Sequence, residues 1–126
     1  MKFTESLKKN HQFRCVYSRG RSIANKYLIM YVIKNNSDKN RLGISVSKKI
    51  GNSVVRSRVT RLIREAYRLS EDNIKEGYDI AVIARSAMKG TAYAETYRSL
   101  NHLLRIHKLL KTSPEKQSVK KEEPEQ

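Results

Sequence analysis

The spacing of apolar residues divides this chain into six elements and a polar tail. In residues 8–19, Phe13, Val16 and Tyr17 recur at i, i+3 and i+4, the spacing of one helix face, and Gly20 stands just beyond as a stop. Tyr27 to Ile33 is a continuous run of β-branched, aromatic and aliphatic residues that enters the turn cluster Asn35-Asn36-Ser37-Asp38, the pattern of a strand and its loop. From Arg41 to Lys49 the chain alternates, with Leu42, Ile44 and Val46 on one side and Gly43, Ser45 and Ser47 on the other, as a half-buried strand requires. Gly51-Asn52-Ser53 ends that strand, and Asn52 or Ser53 is placed to cap a helix.

In that helix Val55, Val59, Leu62, Ile63 and Ala66 gather in one stripe at about 100° per residue, while Arg56, Arg61, Arg64 and Arg68 occupy the opposite half. Residues 78–85 form an almost unbroken apolar run of strand length, suited to burial on both faces, and the helical crossover before it predicts a strand parallel to the second one. Thr91 is the expected cap of a last helix that keeps its apolar spacing through Tyr93, Tyr97, Leu100, Leu103 and Leu104 to about residue 110. Residues 111–126 are nearly free of apolar side chains and read as a disordered charged tail. The elements predict a single α+β domain over residues 1–110, a two-layer sandwich in the order α-β-β-α-β-α with a small mixed sheet.

Charge changes the picture from a fold to a binding surface. The 126 residues carry 27 Lys and Arg against 12 Asp and Glu, a net charge of +15 that favours a negative partner, nucleic acid before others. The tail holds four Lys and four Glu, so the whole excess belongs to residues 1–110. Within it, Arg41 to Arg68 concentrates eight Lys and Arg against the single acid Glu65, and does so without losing its apolar periodicity. Cys15 is the only cysteine, the first residues lack the apolar core of a secretion signal, and the longest apolar run is seven residues. A cytoplasmic location without a membrane span is expected.

Catalytic constellations are scarce. His11, His102 and His107 have no spacing that would bind zinc, and they read as solvent-facing residues on basic helices. Glu65 has Arg61, Arg64 and Arg68 as helical neighbours, which makes an ion pair a better reading than a general base. Asp79 has no second carboxylate with which to hold a metal pair, and no phosphate-cradling glycine motif occurs. A self-sufficient nuclease would need such groups; a structural RNA binder, such as a ribosomal protein, would not.

The run Gly43-Ile44-Ser45-Val46-Ser47-Lys48-Lys49-Ile50-Gly51-Asn52-Ser53-Val54-Val55-Arg56-Ser57-Arg58, followed by Arg61-Leu62-Ile63-Arg64-Glu65, resembles the protein subunit of bacterial ribonuclease P. Phe13, Val16, Tyr17 and Gly20 look like that family's first helix, and Tyr78 to Arg85 like its third strand, so the likeness covers about residues 7–110. The fold implied resembles the ribosomal S5 domain 2-like fold. Two positions depart from the family: Ser57 replaces the asparagine of an Arg-Asn-Arg triplet, and Thr60 stands where a lysine is usual.

The resemblance implies a subunit of a ribonucleoprotein endonuclease that removes the 5′ leader of precursor tRNA. The active site and its magnesium are expected on the RNA, with no cofactor, metal or small-molecule ligand on the protein. Arg56, Ser57, Arg58, Arg61, Arg64 and Arg68 are then expected to face the catalytic RNA, where guanidinium forks suit phosphates. Phe13, Tyr17, Tyr31, Ser45, Ser47, Lys48 and Lys49 are expected to line a cleft for the single-stranded leader, with aromatic faces that stack bases without sequence preference. From the residues alone Phe13 and Tyr17 read as core, and an inward position suits Tyr31 equally well; it is the resemblance that assigns them to the cleft.

Overall fold

Alternation along the strands decides which residues meet which helix. The computed structural model describes residues 4–111, and the tail expected beyond residue 110 falls outside it from residue 112 onward. In chain order the elements are β1 (Thr4–Ser6), α1 (Asn10–Arg19), β2 (Arg21–Ala24), β3 (Leu28–Lys34), β4 (Asn40–Ser45), α2 (Ser53–Ser70), β5 (Tyr78–Ala84) and α3 (Tyr93–Ile106), with single 3-10 turns at Glu71–Asn73 and Ser86–Met88. The five strands form one mixed sheet in the order β1-β4-β5-β3-β2. β5 is parallel to β4, as its crossover predicts, and antiparallel to β3.

Leu28, Met30 and Val32 of β3, Leu42 of β4 and Ile80, Val82 and Ala84 of β5 point to one face, where they meet Val59, Ile63, Ala66 and Tyr67 of α2 and Leu100, Leu103 and Leu104 of α3. Each such aliphatic side chain contributes about 1.5–3 kcal/mol on burial, so this layer carries most of the folding energy. On the other face α1 lies across β3 and β5 and buries Val16 against Leu7 and Ala81. The expected sandwich is the sheet with α2 and α3, and α1 adds partial cover behind it.

Capping sets the helix positions. Asn52 Oδ1 accepts the Val55 N–H at 3.0 Å and starts α2. Gly20 ends α1: its N–H reaches the Val16 carbonyl at 2.8 Å, and a Cβ at Gly20 would lie 2.4 Å from that oxygen. Only glycine lets the chain leave the helix so tightly and enter β2 at the next residue.

Several expectations are corrected. The α-β-β-α-β-α order is present but gains two short strands, β1 and β2; the polar β1 is recruited by parallel pairing of Thr4–Ser6 with Asn40–Leu42. β4 ends at Ser45, because the Ile50 N–H bonds back to the Ser47 carbonyl at 3.1 Å and turns the chain toward α2. Thr91 is not the cap of α3, which Ala92 occupies without a side-chain bond; the Thr91 hydroxyl donates instead to the Ala87 carbonyl at 2.7 Å. α3 stops at Ile106, since Lys108 takes a left-handed turn with φ 63°. Beyond it Leu109 is buried, its carbonyl accepting the Lys75 N–H at 2.7 Å, and Leu110 bridges to Ile74. Among the described residues no helix is long and apolar enough to cross a membrane.

Candidate nucleic-acid interface

The cationic surface begins at the start of α2, where the turn after β4 brings the helix beside the strand. Arg56, Ser57, Thr60, Arg61 and Arg64 line a shallow groove of about 500 Å³ with Ile44 and Val46, and no carboxylate lines it. The Arg56 Nε is buried without a hydrogen-bond partner among the described residues, so the guanidinium is held against the groove rather than extended into solvent. Thr60 turns its hydroxyl back on its own helix, donating to the Arg56 carbonyl at 2.9 Å. At the position where a lysine would reach outward, this chain presents a methyl group.

The six α2 residues expected to act together do not all do so. Arg56, Ser57, Arg61 and Arg64 share the groove, whereas Arg58 lies on the flank toward α3 and donates to the Thr91 carbonyl at 3.0 Å. Arg68 is engaged by Glu65, with Nε to Oε1 at 3.0 Å and Nη2 to Oε2 at 2.5 Å. That hydrogen bond holds the Glu65 carboxyl below its ordinary range and raises Arg68. Glu65 is therefore an ion-pair residue; being exposed, the pair adds little stability, but it sets a negative charge against Arg68.

The aromatic residues meet behind the sheet. A Cβ at Gly43 would lie 2.5 Å from the Phe13 ring, so the absence of a side chain there lets the ring rest on β4. Phe13 is followed by Tyr17 with ring centroids 6.1 Å apart, and Tyr17 meets the Tyr31 ring edge-on at 5.0 Å. Burial, then the neighbouring Tyr31, raises the Tyr17 hydroxyl above its ordinary value. Gly43, Ala81 and Tyr31 stand in one register row across β4, β5 and β3, and α1 covers it. The next row on the same face, Ser45, Ile83 and Ile29, is only half-buried. An aromatic wall thus stands beside an open, mostly apolar ledge.

Phe13, Tyr17 and Tyr31 come together as expected, with Ser45 one row away. Ser47, Lys48 and Lys49 are not on the strand; they are exposed in the turn that joins β4 to α2, between ledge and arginine groove. Gly43, Ile29 and Ile83 were missed. Gly43 carried a signal, as a bare position inside a clean alternation, but the isoleucines gain meaning only from cross-strand register.

The histidines divide. His11 is exposed, His102 shares a 3.2 Å contact with the Asn25 amide, and His107 is buried with Nε2 3.0 Å from the Met30 carbonyl. The solvent-facing reading is therefore wrong for His107, whose pKa burial lowers. Asp79 is locked by Arg41 at 2.7 and 2.8 Å and by the Asn35 amide at 2.9 Å. Among the described residues no three His, Cys, Asp or Glu are grouped to hold a metal ion.

Fold and surface together define a class: a small, basic α+β scaffold with a cationic helix on one side of its sheet and an aromatic ledge on the other, suited to lie against a polyanion. Residues 1–108 match the family model for Ribonuclease P. The chain is 54% identical over 110 residues to the ribonuclease P protein component of Lachnoclostridium phytofermentans, covering 87% of this chain and 95% of that one. With the protein component of Alkaliphilus metalliredigens the identity is also 54%, over 87% and 99% of the two chains. The fold is similar to the RNase P protein of Staphylococcus aureus, with a TM-score of 0.78 and 40% identity over 83% of this chain and 96% of that one. The Thermotoga maritima RNase P protein gives 0.75 and 30%, over 81% and 96%. This chain belongs to the bacterial ribonuclease P protein family.

Proposed function

We propose that the protein serves ribonuclease P by holding RNA in two places while the chemistry of 5′-leader removal proceeds on the RNA subunit. The observation that carries this reading is the α2 groove, where Arg56, Arg61 and Arg64 converge around Ser57 with no carboxylate among the lining residues. Arginine forks bind phosphate oxygens in pairs, so this face suits the folded backbone of the catalytic RNA. Arg58 and Arg68 stand at its margin, each partly engaged by the protein.

The ledge beside Phe13, Tyr17 and Tyr31 suits the single-stranded leader. Stacking on such rings contributes about 1–3 kcal/mol per base and tolerates any sequence, as a variable leader demands. Lys48 and Lys49, at the edge between the two surfaces, are placed to meet phosphates that pass from one to the other. In this reading magnesium is held by RNA, and the protein side chains bind and orient. The cytoplasm, where tRNA precursors mature in bacteria, is the location this implies.

Cleavage of precursor tRNA at low magnesium by RNA alone, protein alone and both together tests the division of labour. Activity is expected only when both are present; cleavage by the protein alone would overturn it.

A further inference from the structure

A second groove, on the side of α2 and α3 away from the ledge, plays no part in that reading. It encloses about 480 Å³ between the C-terminal end of α2 and the exposed side of α3. Leu69, Tyr97 and Leu110 supply apolar walls, and Arg98, His102 and Arg105 the polar rim, with no carboxylate lining it. Leu69 leaves 54% of its surface exposed and Tyr97 37%, among the few large apolar or aromatic side chains so exposed in the described residues. Tyr93 supports the Tyr97 ring from within the helix, centroids 6.1 Å apart.

We propose that this groove seats one unpaired nucleotide of the RNA that lies along the arginines of α2, with its base on Tyr97 and its phosphate on Arg105. The proposal rests on that RNA lying on α2, as given above. Charge selects the occupant: Glu95 is tied to Arg98 at 2.8 Å, whereas Arg105 has no ion-pair partner among the described residues. A planar, negatively charged group complements an exposed ring and a free guanidinium that line one groove. The floor is fixed, since the Asn101 amide donates to Ser70 Oγ at 2.9 Å and to the Tyr97 carbonyl at 3.1 Å, and its own oxygen, without a partner among the described residues, is left to accept from a base edge. Continuity selects the source. Arg61, Arg64 and Arg68 lead along α2 to Leu69 and Ser70, so a strand following these cations arrives at the groove, while the leader lies behind the sheet.

The test is binding of the full-length protein to a transcript of the cognate ribonuclease P RNA across a salt series, with a leader oligonucleotide as the second ligand. Tyr97→Ala should weaken transcript binding about tenfold at every salt concentration, Tyr97→Phe should restore it, and Arg105→Ala should lower the log-log salt slope by about one. Leader binding should not change. Arg61→Ala separates the two readings: loss with Arg61→Ala but none with Tyr97→Ala ends this proposal alone, and loss with neither ends the α2 reading as well. Weakened leader binding by Tyr97→Ala would put the wrong RNA in the groove. Sedimentation of the protein alone as a dimer that Tyr97→Ala dissociates would put a second copy there and overturn the proposal. Unchanged thermal melting of the variants, expected for exposed positions, excludes unfolding as the cause of any loss.

Discussion

The two faces of the sheet are built from the same strands but to different ends. Toward α2 and α3, eighteen buried residues form one continuous cluster. Toward α1 the buried hydrophobic cluster among the described residues is Leu7, Val16 and Ala81, with Phe13, Tyr31 and Ile33 packed at its margin. A ten-residue helix cannot cover a five-stranded sheet, and α1 leaves the Ser45, Ile83 and Ile29 row half-open. Stability is concentrated on one face, and the other holds the rings of Phe13, Tyr17 and Tyr31 only partly buried.

The largest effect that could break this contrast is on stability. Ile63→Ala, at a fully buried position on the α2 side, should cost about 2–5 kcal/mol in urea unfolding. Phe13→Ala, where the ring has one side open, should cost clearly less; equal losses would mean that both faces are core. Next comes ligand binding: Tyr17→Ala should reduce affinity for leader-bearing precursor tRNA by about 1–3 kcal/mol and leave mature tRNA binding unchanged. Parallel losses for the two RNAs would return Tyr17 to a structural role.

Two arginines one helical turn apart sharpen the contrast within α2. Arg61→Ala should lower the salt slope of RNA binding by about one with no change in melting temperature. Arg58→Ala should instead lower stability by about 1 kcal/mol, because its bond to the Thr91 carbonyl is lost. Identical behaviour in both assays would erase the distinction drawn from their geometry.

The smallest effect is on pH dependence. Burial, partly opposed by the Met30 carbonyl, keeps His107 neutral in the folded protein below its ordinary pKa of about 6.5. The unfolded chain therefore binds more protons as pH falls through 6.5, and stability declines from there toward the lower folded pKa, with no contribution above about pH 7. Melting at pH 7.5 and 5.5 should show this loss in the native protein and a smaller one in His107→Gln.

Periodicity was enough to read three helices, the three long strands and the parallel crossover, because each carries its own apolar stripe. β1 and β2 were illegible for the opposite reason: Thr4–Ser6 and Arg21–Ala24 are too short and polar to declare a face, and they are strands only because β4 and β3 offer open edges. The same limit holds at the candidate site. Arg56, Arg61 and Arg64 could be grouped from helical spacing, but the diversion of Arg58 depends on a loop 33 residues away, and the burial of His107 on a strand 77 residues away. Thr91 shows a local rule overridden: a good capping residue sits one position too early and bonds the preceding turn instead.

The place of β5 between β4 and β3 sets the order in which the molecule can be completed. β3 and β4 follow each other in the chain yet never pair, because the strand that joins them is Tyr78–Ala84, the last of the five to leave the ribosome. Until residue 84 emerges, β3 and β4 each keep an apolar edge that β5 has yet to fill, and α2 has only part of its sheet to cover. Closure of the sheet is then a late, long-range step, and the positive charge of the segment made before it opposes association between copies.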